Sequence, residues 1–173
     1  MLKKTKKFAE GFTIVEVLVS LAVMAILLAA VAVAFNASII NYQENDDIFK
    51  AINGARQALF RITTQLRTAY VVDPDPNSPN NECSLITAEY AGREDITYRY
   101  NSADKKLYLI TNDISTDSDY VLCDNVAAMV FTKQIVTEGP LTKVKSVQIS
   151  ITVSSGNTQR TVSAAAVIRR NLN

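Results

Sequence analysis

Few side chains in this sequence could perform chemistry, and their types exclude most kinds of active site. The chain has no histidine, which is the commonest general base and the commonest transition-metal ligand. It has no glycine-rich phosphate loop, no nucleophile elbow and no metal-ligand spacing, and its serines and threonines lack an identifiable base. We therefore expect no enzyme, no metal and no cofactor, and instead a mechanical or assembly function.

The two cysteines, Cys83 and Cys123, allow a single pairing. Both lie in the part of the chain that is expected outside the cytoplasm, where an oxidising compartment favours a disulfide. Two unpaired thiols are the alternative.

The acidic loops invite comparison with calcium sites. One alternates in the manner of the opening half of a calcium loop, through Asp73, Asp75 and Asn77. Its sixth position is Ser78 where glycine is needed, and its twelfth is Ser84 where glutamate is needed, so a solvated turn is favoured over a cation site. A second acidic stretch is interpreted the same way, as a hairpin loop, and contains Asp113, Asp117 and Asp119.

Glu16 is the ionisable residue in the least expected place, at the start of a long apolar run. From Val17 to Phe35 the only polar side chain is Ser20, whose hydroxyl can bond to a backbone carbonyl in the preceding turn. At about 1.5 Å per residue this run spans roughly 28 Å, enough to cross a bilayer core. A lone glutamate anion there costs about 2–3 kcal/mol or more. Glu16 therefore needs a partner, unless it reaches the lipid headgroups.

The residues before the apolar run carry most of the positive charge. The lysines of this leader are Lys3, Lys4, Lys6 and Lys7. They favour a cytoplasmic N-terminus and hence export of the C-terminal part. Without residues 1–11 the net charge changes from +1 to −2, so no basic patch indicates nucleic-acid binding. A cleaved secretory signal would have a shorter apolar core followed by a small-residue site, whereas Gly11 precedes the run.

Gly11 followed by Phe12-Thr13-Ile14-Val15-Glu16 resembles the prepilin-type signal of the type IV pilin-like superfamily. The resemblance implies that a prepilin peptidase cuts between Gly11 and Phe12 and that the new amine of Phe12 is methylated. Glu16 would then be the fifth residue of the mature chain. Its carboxylate would have the amine of Phe12, from the same chain or from a neighbouring subunit, as its partner.

The helix is predicted to continue well beyond the apolar run, because no glycine or proline occurs between Phe12 and Asn53. An apolar seam with alternating steps of four and three follows, at Ile48, Ile52, Ala55, Leu59, Ile62, Leu66 and Ala69. Such a seam fits a coiled coil or the face on which a sheet packs. The second is favoured because strand-forming segments follow. Asn53-Gly54 is a candidate bend.

Beyond a proline-rich loop, alternating segments predict about six antiparallel strands with one apolar face. These are Ser84–Glu89, Asp95–Tyr100, Lys106–Thr111, Asn125–Val136, Lys143–Ser154 and Arg160–Arg169. The predicted class is α+β, a pilin-like long N-terminal helix packed on an antiparallel sheet. Its parts are a cleaved leader (1–11), a transmembrane and filament-core helix (12–40), an amphipathic helix (41–71), the loop (72–82) and a β domain (83–173).

The closing residues Val167-Ile168-Arg169-Arg170-Asn171 resemble the ends of PilW-type minor pilins and J-type type II secretion pseudopilins. The resemblance implies a structural subunit of a type IV pilus-like or type II secretion filament that primes assembly or caps the tip. Its implied partners are prepilin peptidase, other pilin or pseudopilin subunits, an inner-membrane assembly platform and, before assembly, membrane lipid. The implied location is the inner membrane, crossed once, with the C-terminal domain outside the cytoplasm, and afterwards a periplasmic or cell-surface filament. The alternative is a singly anchored extracytoplasmic binding or sensor domain.

Overall fold

The computed structural model describes residues 11–75, 77–89, 92–113 and 119–171, and these form a long helix, eight strands and a short 3₁₀ turn. Residues 1–10 of the predicted leader and the loop residue Asp117 lie outside the described residues. The chain divides into two compact units, residues 1–43 and residues 44–173.

Helix α1 comprises Ile14–Thr68 and confirms the predicted long N-terminal helix. It begins two residues after and ends three residues before the predicted bounds, 12 and 71. In the first unit every side chain from Gly11 to Gln43 is exposed. The most apolar 18 residues of α1 have a mean hydropathy of 2.9, and none of them is buried. By length and composition this part of the helix is able to span a membrane.

The part of α1 in the second unit buries one face. The predicted seam is confirmed at six positions, Ile48, Ala55, Leu59, Ile62, Leu66 and Ala69, and Ile52 is half-buried. These side chains form one hydrophobic core with residues of the strands. The seam is therefore the face on which β-sheet packs. α1 continues through Gly54, where an added Cβ would lie 3.6 Å from Sγ of Cys123. That distance is an ordinary van der Waals contact, so the packing against Cys123 does not by itself require glycine at this position.

The predicted single sheet is in fact two antiparallel sheets. The first contains β1 (Val71–Val72), β2 (Glu82–Ile86), β3 (Asp95–Asn101), β4 (Lys106–Thr111) and β5 (Tyr120–Cys123), in that order. The second contains β6 (Val126–Glu138), β7 (Leu141–Ser155) and β8 (Thr158–Val167). β1 and β5 are too short to show the alternation that identifies a strand in a sequence. The sheets change at Asp124-Asn125, where Asn125 has a positive φ of 55°.

The apolar faces of both sheets complete the core with α1. On β7 the predicted alternation is confirmed, because Val147, Ile149, Ile151 and Val153 are fully buried. On β3 the buried Tyr98 reaches α1, where its hydroxyl donates a hydrogen bond to Oε1 of Gln65. The α+β class with a helix packed on antiparallel strands is thus confirmed.

The described residues end in a 3₁₀ turn, Arg169–Asn171, one residue after the last strand. β8 ends two residues earlier than predicted, and Ile168 between the two elements is fully buried. The Arg170 guanidinium stacks 3.9 Å from the ring centroid of Tyr70, and its Nη2 lies 3.3 Å from Oε2 of Glu89. These contacts hold Arg170 beside the end of α1.

Candidate functional site

The predicted cleavage point lies immediately before α1, in residues without helical structure. Gly11, Phe12 and Thr13 are exposed and precede the first helical residue, Ile14. A Cβ added to Gly11 would meet no atom within 4 Å. The fold therefore imposes no requirement for glycine at this position, and a requirement would come from whatever recognises the segment.

Thr13 caps the N-terminal end of the helix. Its carbonyl accepts hydrogen bonds from the backbone N–H groups of Glu16 (3.1 Å) and Val17 (3.2 Å), and its hydroxyl Oγ1 accepts from Glu16 N–H at 3.3 Å. Such a residue satisfies donors that would otherwise have no partner at a helix start. The sequence analysis did not assign this role to Thr13, although Thr13-x-x-Glu16 has the spacing of a capping box.

Glu16 occupies the first turn of α1 and its side chain is exposed. Among the described residues it has no ion-pair partner. A carboxylate in the first turn is favoured by the helix dipole, which explains part of its presence there. The helix dipole alone, however, does not offset the cost of a full negative charge in an apolar environment. One turn later, Ser20 donates to the Glu16 carbonyl at 2.7 Å, as predicted.

The expected disulfide between Cys83 and Cys123 is not formed, and both thiols are free and buried. Cys83 lies on β2 and Cys123 on β5, with β3 and β4 between them. Two intervening strands separate their Cα atoms by roughly 14 Å, whereas a disulfide requires less than about 7 Å. Burial raises the pKa of each thiol to about 11, so neither is a thiolate nucleophile near neutral pH.

The Asp73 loop satisfies its own polar groups. Asp73 Oδ1 accepts from Asp75 N–H at 3.0 Å and Oδ2 from the Ser78 hydroxyl at 2.8 Å, while Asp75 Oδ1 accepts from Asn77 N–H at 2.8 Å. Lys133 Nζ lies 3.8 Å from Asp73 Oδ2. An ammonium group beside these oxygens disfavours a second cation.

The second acidic loop is likewise bonded to its neighbours where it is described. Asp113 Oδ2 accepts from Asp95 N–H at 2.7 Å, and Asp95 Oδ1 accepts from the Asn112 side chain at 2.7 Å. In the described part of the chain, no three His, Cys, Asp or Glu side chains are grouped as metal ligands would be. The structure thus brings together Gly11, Phe12, Thr13 and Glu16 around the start of α1, and leaves the other acidic candidates in separate loops.

Comparison with known families gives one match. Residues 6–32 match the prokaryotic N-terminal methylation motif, which covers the end of the leader, Gly11, Phe12, Glu16 and most of the apolar run that ends at Phe35. No curated protein and no solved structure matches the chain. The chain therefore carries a prepilin-type signal and has a type IV pilin-like architecture. The motif implies processing by a prepilin peptidase, and the exposed apolar helix fits a single-pass membrane anchor.

Proposed function

We propose that this protein is a structural subunit of a type IV pilus-like or type II secretion filament. It acts by assembly with other prepilin-type subunits and not by catalysis. The observation that carries the proposal is the combination of the methylation motif at residues 6–32 with a helix that buries no side chain between residues 14 and 43. A helix with this amount of exposed apolar surface needs lipid or other helices as its surroundings.

Glu16 is proposed to connect processing with assembly. Cleavage between Gly11 and Phe12 creates an amine four residues before Glu16. The amine and the carboxylate then lie at the same end of the helix. Pairing of the two charges removes the cost of a lone carboxylate in an apolar environment. Where the pair forms between neighbouring subunits, it fixes their relative register along the filament.

Within the filament we propose that the subunit primes assembly or caps the tip. The support is the resemblance of the closing residues to minor pilins and J-type pseudopilins, together with their location beside the end of α1 through Arg170, Tyr70 and Glu89. The C-terminal domain is then exported, first on the outer side of the inner membrane and later within a periplasmic or cell-surface filament.

Filament incorporation in the cells of origin tests the proposal. The wild-type chain, Gly11→Val, Glu16→Ala and the matched control Ser20→Ala are each followed in membrane and filament fractions. Wild type and Ser20→Ala should appear in filaments in processed form. Glu16→Ala should be processed but at least about tenfold depleted from filaments, and Gly11→Val should stay unprocessed in the membrane.

Two results would contradict different parts of the proposal. Processed wild-type chain that is never found in filaments would refute the role as filament subunit. Normal incorporation of Glu16→Ala would refute the charge pair and leave the filament role intact.

A further inference from the structure

The part of α1 in the second unit exposes a second line of side chains, away from the core. We call it the outer flank, and its members are Phe49, Arg56, Phe60 and Arg67. Their spacing is seven, four and seven residues. At about 100° per residue, this places all four within roughly 40° of one another around the helix.

The two phenylalanines of the outer flank are exposed to an unusual degree. Phe49 is 60% exposed and Phe60 is 75% exposed, the highest value for a large apolar side chain among the described residues of the second unit. Neighbouring positions such as Leu59 and Ile62 are buried in the core. The strands of the second unit therefore cover one side of the helix and leave this aromatic side uncovered.

The composition of the outer flank is that of a protein interface. Aromatic residues and arginine are the types most enriched at interface centres and among the residues that contribute most to binding. A membrane-surface helix would present a broad apolar face, but the broad apolar face here is occupied by the core. The two arginines also disfavour burial of this flank in hydrocarbon.

Charge indicates the kind of partner. Arg56 and Arg67 are exposed, and neither has an ion-pair partner among the described residues. They are three turns apart, about 16 Å along the axis, and Phe60 lies between them. The complementary surface is a helix with two carboxylates about three turns apart and apolar side chains between the carboxylates.

We propose that the outer flank docks against such an acidic helix of a different prepilin-type subunit. This inference rests on the proposed function, which supplies other prepilin-type subunits as neighbours. It adds to that function a specific contact outside the N-terminal apolar segment. The contact selects one neighbouring subunit by charge.

Photocrosslinking in the cells of origin tests the contact on the full-length chain. p-Benzoylphenylalanine replaces Phe49 or Phe60, and the matched controls replace Lys50 or Arg61, each one residue further along and about 100° around the helix. Crosslinks from positions 49 and 60 should exceed those from the controls at least about fivefold. The crosslinked peptide should be acidic and come from a protein with its own N-methylated apolar helix.

Charge reversal gives the second measurement. Arg56→Glu should reduce the crosslink from position 60 by at least about fivefold, whereas Arg56→Lys should retain most of it. Crosslinks equal to those of the controls, or formed with lipid, with a second copy of this chain or with a protein lacking a prepilin-type start, would overturn the inference. The filament fraction is measured in the same cells, so wild-type incorporation without the crosslink refutes only the outer flank, and absence from filaments refutes the proposed function.

Discussion

Ile26 and Ile62 are the same kind of residue on the same helix, yet Ile26 is 70% exposed and Ile62 is fully buried. The difference extends to the two units that contain them. Residues 11–43 bury no side chain, whereas the second unit encloses a continuous core formed by α1 and both sheets. The second unit satisfies its apolar residues within one chain. The first unit depends on surroundings that the chain does not supply.

This contrast teaches where the function can be identified. The second unit shows how a sheet domain is stabilised, but its loops and thiols indicate no reaction. In the first unit three features carry the functional information: an exposed apolar helix, a carboxylate with no ion-pair partner among the described residues, and a glycine that the fold does not require. An incomplete element therefore carries more functional information here than a complete one.

The largest predicted effect compares the two isoleucines directly. Ile62→Ala should lower the free energy of unfolding by about 2–5 kcal/mol, because it leaves a cavity in the core. Ile26→Ala, its matched control, should change that free energy by less than about 0.5 kcal/mol. Urea unfolding of the full-length chain in detergent micelles measures both. A cost for Ile26→Ala equal to that of Ile62→Ala would break the contrast between the units.

A smaller effect is predicted for the contacts of Arg170 with Tyr70 and Glu89. Arg170→Ala removes stacking on Tyr70 and the ion pair with Glu89, and should cost about 1 kcal/mol of unfolding free energy. Arg169→Ala is the neighbouring control and should cost less than about 0.5 kcal/mol. Equal effects of the two variants in the same urea experiment would show that the stacked geometry contributes no stability.

The smallest predicted effect concerns acid. Partial burial alone would raise the pKa of Asp73, but hydrogen bonds from Asp75 and Ser78 and the charge of Lys133 hold it below the usual value of 3.8. A lowered pKa means that its contribution is complete above pH 3.8 and is lost as pH falls further, through the pKa of the folded state. Solvent screening keeps this contribution below about 1 kcal/mol. Asp73→Asn should therefore reduce the drop in the melting temperature of the second unit as the pH falls below 4. A drop equal to that of the wild type would contradict a lowered pKa for Asp73.

The elements of the fold were largely predictable from the sequence, because each follows from local periodicity. The helix lacks breakers over its apolar part, and β7 alternates clearly enough to predict both its position and its buried face. The division into two sheets was not predictable. It depends on the positive φ of Asn125 and on strands as short as Val71–Val72, and neither leaves a periodic signal.

The candidate site was predictable only in part. Gly11, Phe12 and Glu16 were identified from a motif of fixed offsets, and the helix-capping role of Thr13 could have been found from its spacing to Glu16. The pairing state of Cys83 and Cys123 could not, because it depends on which strands are neighbours in the sheet. The outer flank was missed because Phe49 and Phe60 become unusual only once the opposite side of the helix is known to be covered.

Mass spectrometry of the native N-terminus is the most direct test of the central claim, that the first unit is a processed assembly element. The protein is isolated from membranes of the cells of origin, and its N-terminal peptide is sequenced. We predict a chain that begins at Phe12 with one methyl group on its amine. A chain that still begins at Met1, or one that is cut elsewhere, would contradict the account.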